Sequence, residues 1–209
     1  MIWRSKVKRQ QVGLFCLFSL VAAVIAVSAA PAQANSIVGA TNATGCSGGL
    51  NMMDPNDSHI NYKRSNLSTG GTNAVNWVMS NRINPTDLSS GHTSSTSAAD
   101  VVISDDWWAD GFCNVTVWGP TKTIGKAICE VKVGAACTRH KIYLEQEYLN
   151  VSSNTNDRKI VCHELGHVLG ISHNYHSSSF NSCLRTNPVS AGTTGYSSHE
   201  VNDMINFQW

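Results

Sequence analysis

Apolar residues recur every three or four positions in three segments of the chain, and this spacing predicts three helices. The first covers residues 72–83 and ends at Asn84-Pro85, because proline cannot continue a helix. The second is capped by polar residues from Asn154 onward and ends at Gly170, a residue suited to a left-handed cap. The third is short and amphipathic, and a Ser-x-x-Glu capping box begins it at Ser197.

Other segments carry the runs and alternation of apolar residues that are typical of strands. Four strands are predicted, at residues 98–104, 114–118, 128–133 and 141–151. Two stretches rich in Gly, Ser, Thr and Asn, residues 36–49 and 89–97, predict loops. Helices and strands therefore both contribute to the fold, and no internal repeat is visible in the sequence.

The first 34 residues have the three-part layout of a secretory signal peptide. A basic start at 1–9 precedes an apolar run at 12–30 and the small-residue site Ala32-Gln33-Ala34. We expect cleavage after Ala34, which leaves a single domain at 35–209 and a secreted, extracellular protein. An uncleaved membrane anchor is the alternative, because the apolar run approaches the ~20 residues that span a bilayer.

The charge distribution argues against a nucleic-acid partner. The whole chain has 15 basic and 14 acidic residues, and four of the basic ones lie within the first nine positions. The predicted cleavage leaves 11 basic against 14 acidic residues, a net charge of −3 without any basic run. We expect a monomer that has no stable membrane association after cleavage of the signal peptide.

The expected mature chain contains six cysteines, an even number that predicts three disulfides in an exported protein. Six cysteines allow 15 connectivities, so spacing alone only favours a pairing. It favours Cys129 with Cys137 across a hairpin and Cys162 with Cys183 around the motif described next, which leaves Cys46 for Cys113.

The segment VCHELGHVLGISHN carries the most informative chemistry in the chain. His163 and His167 are four residues apart, so a helix presents both to one metal ion while Glu164 points at the ion's open side. Gly170 permits a sharp turn that would bring His173 up as a third ligand. Three neutral imidazoles leave a fourth position for water, as in a catalytic zinc site. Incidental histidines on a core helix are the alternative, yet five such fixed positions coincide in about one of ten thousand unrelated chains.

The pattern His163-Glu164-x-x-His167-x-x-Gly170-x-x-His173 resembles the zinc-binding signature of the metzincin metallopeptidases, and LGHVLGISH is most similar to the matrixin-like members. The resemblance implies an α+β zincin catalytic domain, with a mixed twisted sheet, an active-site helix and a small C-terminal subdomain ending in a helix. It also implies a zinc endopeptidase whose polypeptide substrate lies along an edge strand above the metal. His163, His167 and His173 would be the zinc ligands, and Glu164 would be the base that activates the zinc-bound water.

The chain departs from the family at the methionine turn that lies beneath the zinc. The segment at the matching position, NSCLR, carries Leu184 where a methionine is expected, and leucine nearly conserves the volume. Met204 is the alternative, but its spacing fits the apolar face of the last helix better. We therefore favour Leu184. Nothing in the sequence resembles the inhibitory propeptide of matrixins.

Two further possibilities concern calcium and the reaction type. Asp105, Asp106 and Asp110 flank Trp107-Trp108 and could provide oxygen ligands for a structural calcium ion, although a solvated loop anchored by the tryptophans is favoured. Instead of an endopeptidase, the chain could be a zinc amidase acting on a cell-wall or small-molecule substrate. It could also be a catalytically inactive binding module, against which the intact Glu164 argues.

Overall fold

A computed structural model describes six parts of the chain: residues 58–106, 124–133, 136–149, 154–171, 181–184 and 193–206. The predicted signal peptide, the loop at 36–49 and the strand at 114–118 lie outside these residues. No helix within the six parts is long and apolar enough to cross a membrane.

Five strands form one mixed sheet in the order β2-β1-β3-β5-β4. The strands are β1 (His59–Arg64), β2 (Ser89–His92), β3 (Val101–Asp106), β4 (Gly125–Val133) and β5 (Ala136–Glu145). Strands β1, β2, β3 and β5 are parallel to one another. Strand β4 runs antiparallel to β5 and forms one edge of this sheet. The expected mixed sheet is therefore present.

The predicted hairpin is confirmed, with shifted ends. Its strands begin earlier than expected, at Gly125 and Ala136, and the second ends at Glu145 instead of continuing to Val151. The predicted disulfide between Cys129 and Cys137 crosses the hairpin, with 5.8 Å between the two Cα atoms.

The prediction of a loop over residues 89–97 is wrong in its first four positions. Ser89–His92 forms the edge strand β2, although its sequence SSGH has no apolar side chain. Its backbone pairs in parallel with β1, from His59 opposite Ser89 to Tyr62 opposite His92. Hydrogen bonds to a neighbouring strand thus outweigh the weak intrinsic strand preference of serine and glycine.

The first predicted helix is present and begins three residues early. Helix α1 covers Thr69–Val78 and continues as a π-helical turn, Met79–Ile83, which ends where Asn84 was expected to end it. Ser68 caps the helix by accepting a hydrogen bond from the backbone N–H of Gly71. The apolar face of α1 is buried in the core, as the spacing predicted.

The calcium hypothesis is not supported at Asp105. This residue is buried at the end of β3, where its carboxylate accepts hydrogen bonds from the N–H of Ser68 at 2.9 Å and from its hydroxyl at 2.6 Å. The carboxylate therefore fixes the start of α1 against the sheet. The side chain of Asp106 and the whole of Asp110 lie outside the described residues.

Helix α2, Thr155–Val168, is the predicted active-site helix, and both of its predicted ends are confirmed. At its start Asn154 and Asp157 form a reciprocal capping box. At its end Gly170 adopts a left-handed conformation with φ of 82°. The apolar side chains of α2 pack into one core with those of α1 and of the central strands.

The last described element is a short helix at Glu200–Ile205 with π-helical geometry. The predicted capping box precedes it, since the N–H of Glu200 donates to the Ser197 hydroxyl at 3.2 Å and the Glu200 carboxylate accepts from the Ser197 N–H at 2.6 Å. A C-terminal subdomain as a separate unit stays a prediction.

Candidate metal and catalytic site

His163 and His167 lie side by side on α2, one helical turn apart, as the four-residue spacing predicted. Their Nε2 atoms are 3.1 Å apart, and their rings meet edge to face with 4.6 Å between centroids. His163 is half-buried and His167 is buried. The two imidazoles therefore converge through the same ring nitrogen.

Hydrogen bonds to the backbone fix which nitrogen of each ring carries the proton. The Nδ1 atom of His163 lies 2.9 Å from the carbonyl oxygen of Cys183, and that of His167 lies 2.8 Å from the carbonyl oxygen of Ile171. A carbonyl oxygen can only accept, so each Nδ1 carries a hydrogen and donates it. In its neutral form, each ring then presents the lone pair of Nε2 toward its partner.

This arrangement fits a shared divalent cation. Two nitrogens bound to one tetrahedral zinc ion at ~2.0–2.1 Å would lie about 3.3 Å apart, close to the observed 3.1 Å. Histidine ligands of metals almost always donate their second ring N–H to a carbonyl or carboxylate, which orients the ring and selects its tautomer. Both histidines meet that condition.

The structure brings together two of the three predicted ligands. His173, the third, lies outside the described residues. Within the described ranges, no three His, Cys, Asp or Glu side chains are grouped so that they could hold a metal ion. The histidine pair is thus the part of the predicted site whose geometry is defined.

Gly170 also influences the orientation of His167, which the sequence pattern does not show. After its left-handed turn, the N–H of Ile171 donates to the carbonyl of Gly166 at 2.9 Å, so the chain folds back over the end of α2. This return places the Ile171 carbonyl against His167 Nδ1. The glycine therefore helps to orient a histidine that precedes it.

Glu164 lies beneath the edge strand β4, with only 5% of its surface exposed. Its carboxylate accepts a hydrogen bond from the backbone N–H of Ala127 and lies near the charge of Lys126. Burial raises the pKa of Glu164 to about 8, against the opposing effects of Ala127 and Lys126. A cation on the adjacent histidines would favour the ionised carboxylate and so counteract burial.

Gly125 provides the space that Glu164 occupies. A Cβ atom built on Gly125 would lie 2.6 Å from Oε1 of Glu164 and 2.8 Å from its Cγ, closer than real Cβ contacts. Glycine is therefore required at this position for a steric reason. A Cβ atom on the first residue of β4 would collide with the predicted base.

From the predicted role of Glu164 as the base of a zinc peptidase, Gly125→Ala is expected to lower the rate of peptide hydrolysis by about 10- to 100-fold without loss of zinc, because the added methyl displaces the Glu164 carboxylate. Steady-state kinetics together with metal analysis would measure both effects. Gly91→Ala is the matched control: it adds a Cβ 2.8 Å from His59 Nε2 in the strand at the opposite edge of the sheet. Equal rate losses in the two variants would contradict the steric role of Gly125.

The segment 181–184 lies against α2 and is joined to it by the predicted disulfide between Cys162 and Cys183, whose Cα atoms are 6.0 Å apart. Leu184 is fully buried, and a Cβ built on Gly166 would lie 2.6 Å from its Cδ2 atom. The Leu184 side chain thus packs directly on α2 between the two histidine positions. The side chain of Met204 lies outside the described residues.

Sequence reasoning missed the groups that hold the histidines and the glutamate in place. The carbonyls of Cys183 and Ile171 are backbone atoms, which have no signal in a residue pattern. Gly125 could have been noticed only as a glycine at the start of a strand, a position that often indicates close approach of another group.

Comparisons with known proteins add only distant likenesses. No protein-family description matches the chain, and no curated protein does so. Among solved structures, myroilysin matches with a TM-score of 0.45 and 11% identity, over 73% of this chain and 80% of that one. Archaemetzincin from Archaeoglobus fulgidus, crystallised with malonate, matches with a TM-score of 0.39 and 14% identity, over 68% of this chain and 96% of that one.

Proposed function

We propose that the protein is a secreted zinc-dependent endopeptidase of the metzincin type. His163, His167 and His173 hold the metal, and Glu164 is the catalytic base and acid. The observation that carries the proposal is the convergence of two imidazole Nε2 atoms, 3.1 Å apart and each oriented by a backbone carbonyl. The buried carboxylate of Glu164 on the same helix supplies the group that the hydrolysis needs.

When bound, zinc supplies a Lewis acid that polarises the scissile carbonyl and lowers the pKa of water. Glu164 accepts a proton from the attacking water as its oxygen bonds to the carbonyl carbon. The same carboxyl then donates that proton to the amide nitrogen as the C–N bond breaks, so Glu164 ends the cycle ionised. The Ala127 N–H holds the carboxylate in place during both transfers.

Strand β4 gives the substrate a surface to bind. It forms an edge of the described sheet, and Glu164 lies directly beneath its first residues. An extended polypeptide can add to such an edge through main-chain hydrogen bonds, which hold its backbone irrespective of side chains. This arrangement favours an unfolded polypeptide as the substrate.

Leu184 takes the place of the methionine beneath the metal site in this proposal. Its contact with α2 at Gly166 supports the assignment, because leucine and methionine fill nearly the same volume. We also assign residues 1–34 to a cleaved signal peptide. The two disulfides within the described residues favour an oxidising compartment.

The test is to express the chain with its own N-terminal segment in a host that exports it, and to add the exported protein to unfolded casein. The proposal predicts a mature chain that begins at Asn35 and cleaves casein. A strong chelator should abolish cleavage, and added zinc should restore it. Bound zinc without any cleavage of casein would favour the amidase, and cleavage that survives complete removal of metal would exclude a zinc peptidase.

A further inference from the structure

The carbonyl that orients His163 belongs to a short turn with little regular structure of its own. Residues 181–184, here called the support turn, contain Cys183, whose carbonyl oxygen accepts the hydrogen bond from His163 Nδ1 at 2.9 Å. Whatever holds this turn in place therefore also sets the direction of the imidazole.

Ser182 links the support turn to the last helix. Its side chain is fully buried, and its hydroxyl accepts a hydrogen bond from the N–H of Leu184 at 3.0 Å. The same hydroxyl donates to Oε1 of Glu200 at 2.8 Å. Ser182 thus fixes the backbone on both sides of Cys183 and connects it to a carboxylate from another element.

Glu200 is fully buried, and both oxygens of its carboxylate accept hydrogen bonds. Oε2 accepts the N–H of Ser197 at 2.6 Å, so one carboxylate holds both the support turn and the start of the last helix. The N–H of Cys183 donates to the carbonyl of Gly195, at 2.8 Å, in the segment just before that helix. The support turn is therefore bonded to the last helix through the Ser182 hydroxyl, and to the segment before that helix through the N–H of Cys183.

Burial of a carboxylate is costly unless hydrogen bonds compensate for the lost water. An apolar side chain could fill this position without that cost, but it could not hold the Ser182 hydroxyl. The arrangement fits a requirement for an exact direction of the Cys183 carbonyl rather than a requirement for packing alone.

We propose that Glu200, acting through Ser182, is a positioning residue for His163. The sequence of contacts runs from the Glu200 carboxylate to the Ser182 hydroxyl, from there to the support turn, and from the Cys183 carbonyl to His163 Nδ1. The inference rests on the proposed function, because it takes His163 as a zinc ligand. It assigns a role in metal binding to two residues that lie outside the histidine motif.

Ser182→Ala tests this proposal, since it removes the hydroxyl that joins Glu200 to the turn. We expect its zinc dissociation constant, measured on the exported protein by competition with a chelator, to rise by about tenfold or more. We also expect a changed visible spectrum when cobalt replaces zinc. Glu200→Gln leaves only one accepting oxygen and should shift both readouts in the same direction, and it replaces the alanine variant if that variant does not fold.

Ser68→Ala is the matched control. Its hydroxyl likewise donates to a buried carboxylate, that of Asp105 at 2.6 Å, and accepts a backbone N–H, that of Gly71 at 3.1 Å, but it lies at the start of α1 and not at the support turn. Its zinc affinity should stay within about twofold of the parent even where its unfolding midpoint falls as far as that of Ser182→Ala. Wild-type zinc affinity in Ser182→Ala, or equal weakening in both serine variants, would overturn the positioning role. A parent protein that binds no zinc would instead overturn the proposed function.

Discussion

Replacement of Glu164 by glutamine is expected to lower the rate of peptide hydrolysis by about a hundredfold to ten-thousandfold while the protein keeps its zinc. Glutamine has nearly the same shape, and its amide oxygen can still accept the hydrogen bond from the Ala127 N–H. It cannot take a proton from water or return one to the leaving amine. The loss should therefore fall on kcat, and metal analysis should show zinc content equal to that of the parent.

The matched control for this prediction is Glu130→Gln. Glu130 lies on the same strand that covers Glu164, but it is exposed and pairs with Arg139 at 2.7 Å. A surface ion pair of this kind contributes little to stability, so the control should keep the parent's activity. Near-full activity in Glu164→Gln would show that another group performs the proton transfers.

Removal of the disulfide beside the histidines is expected to weaken zinc binding, the largest expected effect after that of Glu164→Gln. Cys162 immediately precedes His163, and Cys183 supplies the carbonyl that His163 Nδ1 contacts, so one covalent bond fixes both ends of that hydrogen bond. The double change Cys162→Ser with Cys183→Ser is expected to weaken zinc binding by about 10- to 100-fold. It should also reduce the free energy of unfolding of the zinc-free protein by about 2–4 kcal/mol.

The hairpin disulfide offers the control. Cys129→Ser with Cys137→Ser also removes one bond, but at the hairpin between β4 and β5 and without contact to either histidine among the contacts described. It should destabilise the zinc-free protein and leave the zinc dissociation constant unchanged. Chelator competition and urea unfolding on both double variants separate the two effects. Equal zinc affinity in the two double variants would contradict the role given to the bond between Cys162 and Cys183.

Local signals explain which elements the sequence could predict. Helix α2 has polar caps at Asn154 and Asp157, a periodic apolar face and a terminating Gly170, and all of these lie within the helix or next to it. Strand β1 was missed, although its alternation buries Ile60 and Tyr62. Strand β2 has no such pattern, because its parallel neighbour supplies the hydrogen bonds that make SSGH a strand.

At the candidate site, too, some features follow from the local sequence and others from the tertiary structure. Convergence of His163 and His167 follows from helical geometry alone, and the two disulfides of the described residues follow from cysteine spacing. The support of those histidines depends on carbonyls of Cys183 and Ile171, whose positions are set by tertiary structure. Contacts of this type can be found only once the backbone is placed.

The zinc content of the purified protein shows directly whether His163 is a ligand of a bound zinc ion. The exported protein and its His163→Ala variant would be purified without added metal and analysed for zinc per chain, with circular dichroism to show that both are folded. We expect about one zinc ion per chain in the parent and almost none in the variant. A folded parent without zinc, or a variant that retains the parent's full zinc content, would contradict this expectation.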